Sequence, residues 1–194
     1  MTWIWQAGGA ASRNVPVIGP EDVKGLKFRG GSREMDLVAK AAGAATLSLP
    51  SNEIYAAMQT GAVDVVTTSA TSLISFRLQE VSKHLTISKA GKSYWFMLEP
   101  LLMSKAIFDK LPKDQQALIM TVGAELEKFA LDGARADDAQ VADAYIKAGA
   151  KVHDLTDAAL GRWVTLSRTS AWKDFAEKSE SCAKLLKLAE KVSA

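Results

Sequence analysis

One arginine in this chain stands where a protein could grip an anion. Arg29 closes a short predicted strand, and Gly30 and Gly31 follow it directly. A glycine pair lets the backbone turn sharply and leaves room for a ligand beside the guanidinium. The planar guanidinium can hold a carboxylate through two parallel hydrogen bonds, a geometry that lysine cannot reproduce. Position alone leaves a structural salt bridge and a carboxylate-binding role both open, and it favours the salt bridge.

Hydroxyl side chains follow two other predicted strands. Ser51 comes just after the strand that Pro50 ends, and Thr67, Thr68 and Ser69 stand at the end of the next strand. In open α/β sheets, ligands bind just beyond the carboxyl ends of the parallel strands. These hydroxyls could orient a polar ligand there, or Ser69 could serve only as the N-cap of the helix that follows.

Two adjacent aromatic residues, Tyr94 and Trp95, open an apolar segment that extends to Met103. An aromatic ring at the mouth of a strand can form one wall of a binding pocket. Packing in the core explains such a residue equally well, and the sequence leaves both interpretations open.

Residue types that support catalysis are present without the necessary spacing. His84 and His153 are far apart in sequence, belong to no nucleophile or metal motif, and are expected at the surface. Asp64 and Glu53 fit structural hydrogen bonding and helix N-terminal charge. A single cysteine, Cys182, excludes an intramolecular disulfide and a cysteine-based zinc site. We therefore expect no enzyme activity, no metal site and no cofactor.

The elements that would position these residues alternate along the chain. The pattern predicts strands over 26–29, 46–49, 63–67, 85–87, 94–103 and 151–154, and helices over 33–42, 53–60, 72–81 and 113–147. The expected helix signals are Ser32 as an N-cap, Gly61 as a C-terminal stop, Gly133 as a bend in the long helix, and Thr156 as the cap of a final helical region. Residues 8–20 are expected to form a loop. Such β-α-β alternation implies an α/β fold with a mostly parallel sheet.

Length and charge narrow the possible functions. The 194 residues can bury the core of one or two small lobes, and a formal net charge of +2 is spread along the chain. Nothing resembles the basic stripe that nucleic acid requires. The longest apolar run falls short of a membrane-spanning helix, and the opening residues show no secretory signal pattern.

Three motifs in sequence order resemble one known family. They are Val23-Lys24-Gly25-Leu26-Lys27-Phe28-Arg29, Ala41-Ala42-Gly43-Ala44, and the stretch from Glu53 to Asp64 with the sequence EIYAAMQTGAVD. A later Leu111-Pro112-Lys113-Asp114-Gln115-Gln116 is similar to a helix entry of the same family. The chain thus resembles the DctP-type substrate-binding proteins of TRAP transporters, and the likeness covers most of its length.

The resemblance implies a two-lobed periplasmic receptor, with a periplasmic-binding-protein-like fold, that closes on a small organic acid and delivers it to a membrane permease. It assigns the carboxylate-pairing role to Arg29, because the family's "KGLK-x-R" strand is intact here. Gly30, Ser51, Thr67, Thr68, Ser69, Tyr94 and Trp95 complete the expected ligand-binding set. Thr68 stands where many members carry an asparagine, so its role departs from the family pattern.

Family members carry a first α/β lobe ahead of the "KGLK" region, so we expect this chain to hold one side of the cleft. The expected division is 1–22 as a linking segment, 23–110 as the ligand-gripping lobe, 111–150 as a long bridging helix, and 151–194 as a strand and helices packed on the lobes. The alternative is a structural protein that self-associates, as a homodimer, through the surface that a first lobe would cover.

Overall fold

The computed structural model describes residues 3–87, 93 and 95–192, and that part of the chain contains seven strands and eight α-helices. The strands are β1 (Trp3–Ser12), β2 (Lys27–Arg29), β3 (Ala45–Thr46), β4 (Val65–Ser69), β5 (His84–Ile87), β6 (Phe96–Pro100) and β7 (Lys151–Asp154). The helices are α1 (Arg33–Ala41), α2 (Ile54–Thr60), α3 (Ala70–Ser75), α4 (Lys105–Phe108), α5 (Lys113–Lys147), α6 (Asp157–Thr169), α7 (Ala171–Glu177) and α8 (Glu180–Val192). Short 3-10 turns cover Pro20–Val23, Ser51–Glu53 and Leu78–Glu80.

The strands form one sheet in the order β3-β2-β4-β1-β5-β7, and β6 also pairs with β1. β1 runs antiparallel to its neighbours β4, β5 and β6. The pairs β2-β3, β2-β4 and β5-β7 are parallel. Every strand except β1 therefore points in the same direction, which confirms the predicted α/β fold with a mostly parallel sheet.

The first strand differs most from its prediction. Residues 8–12 were expected to be loop, but β1 continues through them and pairs with β4 on one side and β5 on the other. A side chain at Gly8 would collide with the Trp95 ring, and one at Gly9 would come within 2.8 Å of Ile87 Cγ2. Small residues thus let this strand lie at the crowded centre of the sheet. The stretch expected to link lobes contains the central strand.

Two apolar cores flank the sheet. On one face, Phe28 and Val65 pack with Trp163 of α6 and with α1. On the other face, Val66 packs with α2, α3 and Tyr145 of α5. The neighbours Val65 and Val66 belong to different cores because successive strand residues point to opposite faces. The result is a three-layer arrangement with helices on both sides of the sheet.

Local helix signals were predicted correctly. The Ser32 hydroxyl accepts a hydrogen bond from the Met35 amide at the start of α1, and Thr156 does the same for Ala159 at the start of α6. Gly61 ends α2 with a φ of 79°, in the left-handed region that glycine tolerates. Each signal acts within one helical turn, so the sequence carries it without help from the rest of the fold.

Other boundaries moved once tertiary contacts were made. β3 is only two residues long, and β4 covers Val65–Ser69, because its end pairs with Gly8 and Gly9 of β1. α3 is correspondingly short. α5 continues through Gly133 as one helix of 35 residues, because a single interior glycine costs only about 1 kcal/mol.

The long helix is packed along only part of its length. Ala134, Val141 and Tyr145 in its second half are buried, and the last two pack against the sheet. Its first half carries apolar side chains that are largely exposed, including Leu118 and Phe129. At a rise of 1.5 Å per residue, α5 is about 52 Å long. Among the described residues, no helix combines the length and hydropathy needed to cross a membrane.

Candidate functional site

Arg29 is buried at the carboxyl end of β2, with only 6% of its surface exposed. Its Nε and Nη2 both donate to the Leu49 carbonyl at 3.2 Å, and Nη2 also donates to Ser51 Oγ at 3.2 Å. Nη1 donates to the Thr67 carbonyl at 3.4 Å. These contacts come from the segments that follow β3 and from β4, and they fix the plane of the guanidinium.

The charge of Arg29 has no carboxylate partner. Within residues 3–87, 93 and 95–192, no Asp or Glu lies within ion-pair distance of it, and its acceptors are neutral oxygens. Burial lowers the pKa of Arg29, while the more distant Asp36 carboxylate raises it. A buried cation without a counter-ion is costly, because charges inside proteins are normally paired. The arrangement leaves the site with an unbalanced positive charge and a free Nη1–H donor direction.

Asp36 organises the turn that follows the strand. Its Oδ1 accepts a hydrogen bond from the Gly30 amide at 2.9 Å. Burial raises the pKa of Asp36, and the bond to Gly30 and the charge of Arg29 lower it. The carboxylate therefore accepts a hydrogen bond from the backbone and forms no direct ion pair with the guanidinium.

The glycine pair serves close packing rather than an unusual backbone conformation. The chain bends at Gly31 and Ser32 between β2 and α1, but neither Gly30 nor Gly31 has a positive φ. A Cβ at Gly30 would come within 2.5 Å of the Asp36 carboxylate, and one at Gly31 within 3.1 Å of the Trp95 ring. These positions are glycine because neighbouring side chains occupy the space that a Cβ would need.

Ser51 and Thr67 lie beside Arg29, as neighbouring strand ends should. β2 and β4 are parallel neighbours with Arg29 opposite Val66, which places Thr67 one residue further along. Ser51 does not cap a helix with its side chain, and its hydroxyl accepts from Arg29 instead. Thr67 Oγ1 is buried with no hydrogen-bond partner in the described part of the chain. The contact with Arg29 thus runs through the Thr67 carbonyl, and the Thr67 hydroxyl keeps an unused hydrogen-bonding capacity.

Thr68 and Ser69 lie inside β4 rather than beyond its end. Both are almost fully buried, opposite Gly9 and Gly8 of β1. The Ser69 hydroxyl caps α3 by accepting from the Ser72 amide at 3.3 Å, and it also contacts the Ser72 hydroxyl. For Ser69 the capping interpretation is therefore confirmed.

Trp95 packs against two glycines. Its ring covers Gly8 of β1 and Gly31 after β2, and its buried Nε1 has no acceptor among the described residues. The predicted partner in the aromatic wall, Tyr94, lies outside the described residues. Trp95 also contributes to a separate pocket of ≈ 290 Å³ with Phe96, Trp172 and Phe175.

An open groove of ≈ 400 Å³ lies directly against Arg29. Its lining includes Arg29, Gly30, Arg33, Asp36, Lys40 and Thr46. Arg33 is ion-paired with Asp174 and Glu34, so the positive potential of this groove comes from Arg29 and Lys40 against the one carboxylate of Asp36, and it favours an anionic ligand.

Two groups that hold Arg29 and its turn, and one further buried polar side chain, were not anticipated from the sequence. The Leu49 carbonyl holds Arg29 in place, and Asp36 holds the turn after it. Gln6 of β1 is buried with its Oε1 unpartnered in the described part of the chain. Of these three, only Gln6 left a signal in the sequence, as an amide side chain in a strand of mainly apolar residues. A backbone carbonyl leaves no trace in the sequence.

The described residues contain no cluster of metal-ligating side chains. No group of three or more His, Cys, Asp or Glu side chains there could hold a metal ion. Cys182, in α8, is a free thiol.

Comparison with known proteins identifies the family. The model of DctP, the bacterial extracellular solute-binding protein family 7, matches residues 1–179. A "Solute-binding protein" of Albidiferax ferrireducens is 65% identical over 190 residues, which are 98% of this chain and 56% of that protein. The C4-dicarboxylate-binding periplasmic protein DctP of Rhodobacter capsulatus is 29% identical over 78% of this chain and 45% of that protein.

Solved structures agree with this fold. A TRAP periplasmic solute binding protein from Rhodoferax ferrireducens, solved with bound malonate, has a TM-score of 0.92 and 64% identity. The match covers 98% of this chain and 60% of that protein. A TRAP protein from Shewanella oneidensis, with bound succinate, has a TM-score of 0.79 at 21% identity and supports the fold alone.

The chain spans between 45% and 60% of the length of these relatives, and they are solute-binding proteins rather than enzymes. Several are periplasmic, which confirms the predicted compartment. The match across most of the sequence and the shared fold together show that the chain belongs to the DctP family of bacterial extracellular solute-binding proteins.

Proposed function

We propose that this chain provides the carboxylate-binding wall of a TRAP transporter receptor, which captures a small organic acid and delivers it to a membrane permease. The observation that carries the proposal is Arg29, a buried cation held by neutral oxygens and lacking a carboxylate partner in the described residues. A ligand carboxylate is the counter-ion that such a site accepts most favourably.

The other members of the expected set take different parts in this proposal. Ser51 and Thr67 orient the guanidinium, because the Ser51 hydroxyl and the Thr67 carbonyl both accept hydrogen bonds from Arg29, and the Thr67 hydroxyl remains a predicted ligand contact. Gly30 leaves space for Asp36, and Ser69 supports the strand end by capping α3. Trp95 forms a wall. Thr68 and Tyr94 remain predicted ligand contacts.

The ligand class follows from the site and from a close relative. A protein 64% identical to this chain was solved with malonate, a short dicarboxylate. The positive groove beside Arg29, with Arg33 and Lys40 on its rim, suits a small acid bearing one or two carboxylates. We therefore propose short-chain organic acids as the ligands.

We expect the second wall of the cleft to be a lobe of the kind that the relatives carry outside the region that this chain matches. In the proposed division, 1–22 links to that lobe, 23–110 grips the ligand, α5 within 111–150 bridges the lobes, and 151–194 packs on them. The exposed first half of α5 provides surface for this purpose. Closure would remove water from Arg29 and strengthen its bond to the carboxylate.

The test is calorimetry on a two-lobed protein. This chain is joined to the portion of the Albidiferax ferrireducens relative that it does not span, and malonate, succinate and malate are titrated in. Replacing Arg29→Ala is expected to cost about 2 to 5 kcal/mol of binding, the usual scale for losing one partner of a buried charge pair.

The matched control is Arg162→Ala. Arg162 of α6 forms an exposed ion pair with Glu21 at 2.8 Å. It does not line the groove beside Arg29, so its loss should leave affinity unchanged. Equal affinities for wild type and Arg29→Ala would refute the anchor role.

A second candidate function, self-association as a homodimer, has one specific observation in its favour. Apolar side chains on α5 and after β6 are strongly exposed, with Leu102 at 76% and Phe129 at 75%. Exposed apolar side chains can favour pairing between molecules when they form a patch. Sedimentation equilibrium of the isolated chain tests it, since a concentration-dependent dimer abolished by Phe129→Ser would support pairing and a monomer at all concentrations would exclude it.

A further inference from the structure

Trp95 lies against two backbone segments that belong to different parts of the fold. Because Ala7 pairs with Phe96, Trp95 stands beside Gly8 at the next position of β1. A Cβ at Gly8 would lie 2.1 Å from the Cε2 atom of the indole, and one at Gly31 would lie 3.1 Å from its Cη2 atom. One rigid ring therefore fills the space beside β1 and beside the turn that follows β2.

Gly8 lies where β1 changes its neighbours. Residues 8–12 pair with β4 and residues 10–12 also pair with β5, whereas residues 3–7 pair with β6. The strand thus passes at Gly8 from the main sheet into a ribbon that it forms with β6. A glycine inside a strand commonly marks such a bend, because it has no side chain to pack. We call this point the β1 junction.

At its other end the indole meets the glycine turn, which consists of Gly30 and Gly31. This turn connects Arg29 to the start of α1, and both glycines line the groove beside the guanidinium. Trp95 is not among the residues that line that groove. The indole therefore stands behind Gly31 and can act on the groove through the glycine turn.

No hydrogen bond from the described residues holds the indole in place. A buried tryptophan usually donates its ring N–H, as Trp163 does to the Ile18 carbonyl at 2.8 Å. The Nε1 of Trp95 is buried and has no acceptor in the described part of the chain. The ring also borders the pocket of ≈ 290 Å³ that it shares with Trp172. It can therefore shift without breaking a hydrogen bond, and it has space to do so.

We propose that Trp95 is a positioning residue for ligand binding, which couples the glycine turn beside Arg29 to the β1 junction. The inference rests on the proposed binding of a carboxylate at Arg29. When an acid enters the groove, the turn, the indole and the junction move together, because close-packed groups transmit displacement. Since coupling between two sites is reciprocal, a change at Gly8 alters the affinity of a groove that Gly8 does not line.

The experiment is a double-mutant cycle on malonate affinity in the two-lobed protein, measured by calorimetry. Trp95→Ala should weaken binding by at least about tenfold, and Trp95→Phe, which keeps a flat ring, should recover most of that loss. Gly8→Ala puts a methyl group where the indole lies and should weaken binding by at least about threefold. In the Trp95→Ala background, the same glycine change should cost nothing further, because the ring that it displaces is absent.

Gly161→Ala in α6 is the matched control. A Cβ there would have no atom of another segment within 4 Å, so affinity should stay at the wild-type value. Circular dichroism checks that each variant is folded. If Gly8→Ala does not fold, fluorine NMR of protein labelled with 5-fluorotryptophan takes its place. The resonance that is lost in Trp95→Phe should shift with malonate in the wild type and stay unchanged in Arg29→Met.

Three outcomes would overturn the coupling and leave the anchor role of Arg29 intact. They are wild-type affinity in folded Gly8→Ala, losses for Gly8→Ala and Trp95→Ala that multiply in the double variant, and a Trp95 resonance that malonate does not shift. Equal affinities of wild type and Arg29→Ala instead refute the proposed function itself, so the two failures are distinguishable.

Discussion

Replacing Arg29 by methionine tests whether this residue serves binding rather than folding. Methionine has a similar length and no charge, so it removes the cation while leaving most of the buried volume filled. The loss of the guanidinium leaves the Leu49 and Thr67 carbonyls without their side-chain donor. An unsatisfied buried polar group costs about 1 to 3 kcal/mol.

The opposing effect is relief of an unpaired buried charge. Arg29 is 6% exposed and has no carboxylate within ion-pair distance in the described residues, and desolvation of such an ion costs several kcal/mol. The two effects have similar size and opposite sign. We therefore expect Arg29→Met to change the free energy of unfolding of the ligand-free chain by no more than about 2 kcal/mol in either direction.

The assay is urea unfolding followed by tryptophan fluorescence, with comparison of midpoints and slopes. Met58→Ala is the matched reference, because Met58 lies on the buried face of α2 and its truncation should cost about 2 to 5 kcal/mol. A loss greater than about 3 kcal/mol in ligand-free Arg29→Met would refute the reasoning and make Arg29 a structural residue.

Ligand should separate the two roles further. In the two-lobed protein, an acid at a hundred times its dissociation constant stabilises the wild type by about 2.7 kcal/mol. Arg29→Met should lose this stabilisation while keeping its ligand-free stability.

Three further predictions concern the scaffold. Tyr145 is fully buried beside Ser82, whose hydroxyl donates to the Leu78 carbonyl, and burial raises the pKa of Tyr145 more than the Ser82 hydroxyl lowers it, so its phenol should ionise in alkaline absorbance titration only when the protein unfolds. Tyr145→Phe should leave urea stability unchanged or slightly higher, whereas Tyr145→Ala should cost about 3 to 5 kcal/mol. The Arg33 guanidinium, bonded at 2.6 Å, lowers the pKa of Asp174 to about 2, so the pair stabilises the fold above the ordinary aspartate range and this contribution is lost as pH falls through 2. Carbon-13 NMR titration should show that pKa, and Arg33→Ala should raise it. Thr156→Ala removes the α6 cap and should lower stability by about 0.5 to 2 kcal/mol in urea unfolding, while Thr156→Ser should not.

The family and the main helices were predictable from sequence because their signals are local. The "KGLK-x-R" strand, the caps at Ser32 and Thr156, and the stop at Gly61 each depend on a few consecutive residues. The position of Arg29 at a strand end and the parallel direction of β2 and β4 followed from the alternation of strands and helices, whereas the pairing of β2 with β4 is a finding of the structure.

Contacts between segments that are distant in sequence decided the remaining features of the fold and the site. β1 forms a strand through Gly8 and Gly9 because β4 and β5 surround it, and that same pairing draws Thr68 and Ser69 into the sheet. The Leu49 carbonyl reaches Arg29 from 20 residues away. His84 and His153, 69 positions apart, meet only because β5 and β7 are adjacent. The sequence by itself determined the arginine at the strand end and the family that carries it. Only the tertiary structure decided that its charge is buried without a partner, because burial and pairing depend on contacts between distant segments.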